Sequence, residues 1–231
     1  MSGKLSRLFD MAIDLARLPV ASLEFRLDMN PDDVRRMHAH CTKPHPRYRI
    51  FQNKAVGAAL IDLRRFADRD AYLGDIKGRN WGEHHARRAR QRGYRLIEID
   101  RNDFVDELHA INTSLEQRQG RRMDAIYREK QLSYPREKNY RYFGVVNAAG
   151  KLMAYSNLGA YGNFVAFDRL LGIRNNDGMM HLMLSEIACQ MIEHRRYGYL
   201  MYDTYFGASP GLQTFKKMLG FKPYRVKYSI Q

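Results

Sequence analysis

Cysteine is nearly absent from this chain, with only Cys41 and Cys189 among 231 residues. Two isolated thiols build neither a disulfide framework nor a metal-binding spacing. Cys189 lies inside an apolar helical run and reads as a small buried hydrophobe. No apolar stretch approaches the ~18 residues a membrane span requires, and the N-terminal region has no uninterrupted apolar core ahead of a small-residue cleavage site. A cytoplasmic protein is therefore expected. The eight histidines form neither His-x-x-x-His nor His-Glu-x-x-His, and adjacent His84 and His85 point apart on a helix, so no metal site is expected. Acidic residues are also scarce: 25 Asp and Glu stand against 39 Lys and Arg, a formal charge of +14.

What is present argues for a folded, basic protein. Apolar residues make up 45% of the chain, which excludes a disordered polymer. The positive field would attract polyanionic partners such as RNA, coenzyme A, acidic carrier proteins or anionic lipid headgroups. Arginines concentrate over residues 76–92, where Trp81 and nearby Tyr94 interleave with the charge as possible stacking groups. Such a segment reads either as a polyanion track or as one solvated helix face.

Periodicity divides the chain unevenly. Leu5, Leu8, Phe9, Ala12, Ile13 and Ala16 fall at helical spacing, in a helix docked on the core or, alternatively, on a membrane surface. Asn30 and Pro31 mark a second helix start. Segments 48–51 and 55–63, around Asn53-Lys54, suggest a hairpin. Residues 1–75 are thus expected to form accessory helices and a hairpin. From residue 76 the order becomes regular. A strand over 94–100 leads to a helix carrying Val105, Leu108 and Ile111, the basic loop 118–122 and a second short helix. A hairpin of 140–147 and 151–158 follows, then a strand at 163–167 and a long helix at 179–196. The chain closes with a strand at 199–202, a helix at 211–219 and a strand at 224–230.

The last thirty residues carry the most specific signal. Asp203-x-x-x-Gly207 is followed by Gly211-Leu212-x-x-Phe215-Lys216-x-x-Leu219-Gly220-Phe221 and a closing strand. This pattern resembles the C-terminal half of the GNAT superfamily of acyltransferases. It is most similar to the branch holding the Fem family, which transfers aminoacyl groups from tRNA to peptidoglycan precursors. The resemblance covers roughly residues 94–231 and implies an α+β, three-layer fold with a mixed central sheet over 76–231. It also implies a gap between the strands near Phe167 and near residues 199–204, where an acyl carrier inserts its reactive end.

The resemblance further implies site residues. Asp203 would accept or orient the acceptor amine, with Tyr205 as a proton donor. The usual pyrophosphate loop corresponds to the segment holding Arg174, Asn175 and Gly178, which departs from the family spacing and adds the negative Asp177. Lys216 replaces the tyrosine many members place in the last helix, and either offsets donor charge or is a solvated helix residue. Arg118 and Arg121 of the basic loop, with Tyr161 and Asn163, would face the acceptor, or simply serve a loop and a turn.

The expected activity is N-acyl transfer from an activated carrier to an amine of a small molecule or peptide. No tightly bound cofactor is implied: the carrier is a co-substrate, either aminoacyl-tRNA or an acyl thioester of coenzyme A or an acyl carrier protein. Two alternatives stay open. One is a non-catalytic RNA-binding or adaptor protein on the same fold, and the other a peripheral membrane enzyme with lipid-linked acceptors. The oligomeric state is open.

Overall fold

A computed structural model describes residues 15–46, 49–118 and 121–231. The helix expected over 5–16 lies outside these residues but for its last two.

Eight strands form one mixed sheet. In chain order they are β1 (Val20–Phe25), β2 (Val56–Asp62), β3 (Arg95–Glu98), β6 (Tyr140–Val146), β7 (Leu152–Ala160), β8 (Phe164–Gly172), β9 (Tyr199–Thr204) and β10 (Lys222–Ile230). The two-residue strands β4 (Gln117–Arg118) and β5 (Arg121–Arg122) make a separate ribbon. The large sheet runs β1-β10-β2-β9-β8-β7-β6-β3. Pairing is antiparallel except for β1 with β10 and β8 with β9.

Residues 1–75 therefore do more than flank the sheet, because β1 and β2 are members of it. The hairpin expected around Asn53-Lys54 does not form, since β2 pairs with β10 and β9. The 44–52 region contributes a lone bridge, Pro44 with Gln52. An alternating strand can satisfy its edges with any partner of matching register, so short-range turn chemistry does not decide the pairing.

Six helices among the described residues cover the sheet: α1 (Pro31–Thr42), α2 (Arg69–Asn80), α3 (Gly82–Gln91), α4 (Val105–Thr113), α5 (Met179–His194) and α6 (Pro210–Met218). Strand alternation sorts side chains between the two faces. Ala59, Ile61, Val165 and Phe167 join Ile76, Ala86, Met183 and Ile187 under α2, α3 and α5. Ala58, Leu60, Phe164 and Ala166 pack with Val34 and Cys41 of α1 on the other face. Leu108 and Ile111 of α4 close a third cluster with Tyr142 and Tyr155. Cys189 is buried in the first of these, as its apolar context implies.

Two local outcomes depart from the pattern reading. The basic segment is two helices rather than one, broken at Trp81 in the left-handed region at φ 60°. A Cβ on the following Gly82 would stand 2.1 Å from the Met218 carbonyl oxygen, so α3 starts in direct backbone contact with the end of α6. The second short helix expected after the basic loop is a single 3₁₀ turn, Ala125–Tyr127.

Candidate active site

The site lies where β8 and β9 part. These parallel neighbours are in register only at Phe164–Tyr199, Val165–Leu200 and Ala166–Met201. Beyond that point β8 continues to Gly172 and β9 to Thr204 without pairing to each other. Just past the last pair, the rings of Phe167 and Tyr202 meet edge to face at 5.7 Å. A parted strand pair leaves N–H and C=O groups along its inner edges available to an inserted molecule.

Both strands are bulged just past the parting. In β8, Phe167 opposes Leu158 and Arg169 opposes Asn157, leaving Asp168 as the extra residue. In β9, Met201 opposes Leu60 and Thr204 opposes Ala58, so Tyr202 and Asp203 share the place opposite Ala59. Asp203 takes a left-handed backbone, φ 50°, a conformation Asp tolerates better than most residues. Bulges re-aim side chains, and here both aspartates line the same cavity.

That cavity, of about 600 Å³, opens on the α1 side and is walled by Arg36, His40, Lys54, Tyr140, Tyr161 and both aspartates. A second, of about 1050 Å³, opens on the opposite side around the N-terminus of α5 and includes Arg174, Asn175, Gly178, His181 and Phe215. Tyr127, Leu170, Leu171 and Tyr202 belong to both walls. Two molecules approaching from opposite faces would thus meet at the parting.

On the α1 side, Asp203 is about half exposed and forms an ion pair with the well-buried Lys54. Asp168 is exposed and makes no hydrogen bond or ion pair among the described residues. Tyr161 is fully buried and its hydroxyl shares a 2.6 Å hydrogen bond with that of Tyr140. Burial raises both phenols far above their ordinary range, so they act as neutral hydrogen-bonding groups. Cys41 is pushed up to about 11 by burial and is no thiolate nucleophile at neutral pH.

On the α5 side, the N-cap Gly178 offers no side-chain cap, which leaves the first-turn N–H groups without intrahelical partners. A Cβ at Gly178 would sit 2.3 Å from the His85 carbonyl oxygen, so α3 presses on this turn. Asp177 is drawn away from the helix end by Arg92 and by the Tyr94 hydroxyl, 2.8 Å distant. Asn175 accepts from the Asp177 N–H at 3.1 Å and shapes the loop. The departure from the family spacing therefore leaves an anion-compatible helix end, its carboxylate already paired.

The remaining expected site residues fall elsewhere. Lys216 is 1% exposed, donating to the carbonyls of Tyr202 at 2.8 Å and Thr204 at 2.7 Å, with its ammonium 4.4 Å from the Tyr202 ring centroid. Burial lowers it to about 8. It anchors the end of β9 and presents no surface to a donor phosphate. Tyr205 packs on the main core and lines neither cavity. Asn163 accepts from the Glu24 N–H at 2.9 Å and donates to the Ser22 carbonyl at 3.0 Å, tying β1 to the start of β8. Arg118 and Arg121 pair across the small ribbon, but their side chains lie outside what is described. Asp168 was not singled out in the sequence; a lone carboxylate within Phe164-Val-Ala-Phe-Asp-Arg-Leu-Leu is the signal that could have found it. Among the described residues, no three His, Cys, Asp or Glu side chains cluster to hold a metal, and no helix is long and apolar enough to cross a membrane.

No family profile matches the chain, and no curated protein matches it by sequence. Solved structures do. FemX superposes with TM-score 0.56 at 12% identity, over 96% of this chain and 74% of that one. The C-terminal domain of a putative lysylphosphatidylglycerol synthetase from Agrobacterium fabrum gives TM-score 0.50 at 16% identity, covering 73% of this chain. This chain spans 58% of that structure's length. A tandem GNAT protein from the clavulanic acid biosynthesis pathway is more distant, at TM-score 0.46. The resemblance to the GNAT superfamily and its Fem-like branch thus holds for the fold: a mixed sheet flanked by helices.

Proposed function

We propose that this chain is an N-acyltransferase that moves an aminoacyl or acyl group from an activated carrier to an amine of a small molecule or peptide. The observation that carries the reading is the early parting of β8 and β9, with one cavity on each face meeting at the gap. The named neighbours FemX and the lysylphosphatidylglycerol synthetase domain make aminoacyl transfer a natural use of this fold. In this reading the carrier lies on the α5 side and the amine acceptor on the α1 side. The carrier is a co-substrate, an aminoacyl-tRNA or an acyl thioester, met in the cytoplasm.

The chemistry follows from the two bulged aspartates. An attacking amine must be neutral, so its ammonium proton has to leave first. Asp168, without a side-chain partner among the described residues, takes that proton, while Asp203, held by Lys54, orients the amine through its second oxygen. The amine then adds to the carrier's carbonyl carbon. Backbone N–H groups along the edge of β8 that does not pair with β9 stabilise the oxyanion. The adduct nitrogen gives its second proton to the carrier, which departs as its alcohol or thiol, and Asp168 releases the first proton to solvent. Holding both reactants at one gap supplies much of the rate without a protein nucleophile.

The direct test incubates the protein with charged tRNAs and with acyl-coenzyme A, offers a panel of amines, and reads amide products by mass spectrometry. A new amide dependent on the protein supports transfer. Tight RNA binding with no product from any carrier would instead favour the non-catalytic RNA-binding reading, which the +14 charge keeps in contention.

A further inference from the structure

Trp81 is the single tryptophan of the chain, and 68% of its surface faces solvent. Its left-handed backbone is disfavoured for a bulky side chain. The turn itself is needed, because α3 starts against the Met218 carbonyl. An indole is not: glycine or asparagine would make the same turn with less strain. Neither packing nor backbone geometry accounts for the residue.

Its neighbours suggest what does. From Trp81 a row of rings leads into the α5-side cavity. Trp81 and His84 are 6.1 Å apart, and His84 and His85 5.7 Å. His85 stacks on His181 at 4.5 Å with planes 25° apart, and His181 meets Phe215 at 4.7 Å. The last three rings line the cavity, together with Arg88 one turn beyond His85. Among the described residues His181 Nε2 and Arg88 Nε are buried with no hydrogen-bond partner, although the Arg88 guanidinium also donates to the Asn176 carbonyl, so the inner end of the row holds polar atoms that these residues do not satisfy. Exposed Lys77 and Arg87 flank the outer end, and neither has a carboxylate partner among the described residues. Tyr94 plays no part: it is 9% exposed and its hydroxyl is committed to Asp177.

Rings in series beside cations that no described carboxylate neutralises are the chemistry of a single nucleic-acid strand, whose bases stack while its phosphates meet positive charge. A carrier with one base would use only one step of such a row. We propose that the row from Trp81 to Phe215 seats the single-stranded 3′ end of an RNA-borne donor. Its bases stack outward on Trp81 and His84, and its terminal ester enters the cavity past His85 and Arg88 toward the parting of β8 and β9. The inference rests on the transfer reading above and selects RNA among its carriers.

Because Trp81 is the only tryptophan, its fluorescence reports on the outer step directly. The full chain is titrated with a hairpin RNA carrying a short single-stranded 3′ tail, with the same hairpin blunt-ended, with coenzyme A and with anionic vesicles. The tailed RNA is expected to quench emission saturably and the blunt RNA to leave it unchanged. Trp81→Phe should keep tail binding, and Trp81→Ala should weaken it roughly 5- to 100-fold, the range for loss of one base–aromatic stack. Trp81→Gly, which adopts the left-handed turn without strain, should lose the same binding with an unchanged or higher melting temperature, separating recognition from folding. Tailed RNA that binds without altering emission, equal binding of the blunt hairpin, quenching by coenzyme A alone, or a response to vesicles alone would each overturn the proposal. Undiminished transfer from an acyl thioester by Trp81→Ala would leave the transfer reading standing, whereas the absence of product from every carrier would sink that reading itself.

Discussion

Asp168 and Asp203 are the bulge residues of two adjacent parallel strands, and both side chains line one cavity. They differ in their surroundings. Asp203 is paired with Lys54, just ahead of β2, while the exposed Asp168 side chain has no hydrogen bond or ion pair among the described residues. An exposed carboxylate is open to an incoming amine, whereas a lysine-held one is fixed in position.

Asp168→Asn is therefore expected to lower turnover by roughly 10²–10⁴-fold, the usual worth of a positioned base. The side chain is exposed and has no partner among the described residues, so stability should move by no more than about 0.5 kcal/mol. Wild-type turnover in this variant would remove Asp168 from the mechanism.

Asp203→Asn keeps a residue that accepts the left-handed turn but weakens the Lys54 pair. Turnover should fall by roughly tenfold or more through the lost orientation of the amine, with the melting temperature within a few degrees of wild type. A variant that is fully active at saturating acceptor would show that Asp203 only terminates its strand.

Lys216→Met leaves the carbonyls of Tyr202 and Thr204 unsatisfied in a buried position. A loss of roughly 2–4 kcal/mol is expected from two stranded acceptors, read as a lower urea midpoint. If stability were unchanged, the end of β9 would need another anchor.

Gly178→Ala should cost stability and carrier binding together. The added methyl would meet the His85 carbonyl at 2.3 Å, at a residue whose φ is 85°, so α3 must shift off the turn that walls the α5-side cavity. Thermal melts alongside carrier titration check this. A stable variant that still binds carrier at wild-type strength would contradict it.

His181 supplies the pH dependence. Burial, with His85 and Arg88 nearby, lowers it from 6.5 to about 4. The unfolded chain therefore binds a proton between pH 6.5 and 4 that the folded chain refuses, and stability falls as pH drops through that window. The full contribution is about 3 kcal/mol for a shift of this size. Urea midpoints measured from pH 7 to 4 should fall, and His181→Phe should flatten much of that slope. Parallel slopes in the two proteins would assign the effect to other groups.

Much of the fold was legible because it is periodic. The run Met183, Leu184, Ile187, Met191 and Ile192 marks α5, and the turn at Ala148-Ala149-Gly150 marks the β6–β7 hairpin. Pairings across long sequence distances were not. Nothing local to residues 56–62 states that they lie between β10 and β9, because an alternating strand accepts any partner that buries the same face. Lys216 shows the same limit: on a helix a lysine reads as solvated, and only the end of β9 arriving above it turns its ammonium inward.

The amino-acid sequence by itself determined that this chain folds as a basic α+β unit, and its closing motif pointed to a sheet that parts between two strands. The charge and the order of strands and helices follow from composition and periodicity; the fold and its parting are what the resemblance to the GNAT superfamily implies. Tertiary structure alone decided which groups face the gap. A bulge displaces register by one residue, and whether it falls at Asp168 or beside it depends on the partner strand opposite. The same holds for the row of rings, since His85 and His181 lie far apart in sequence and meet only where α3 presses on the first turn of α5.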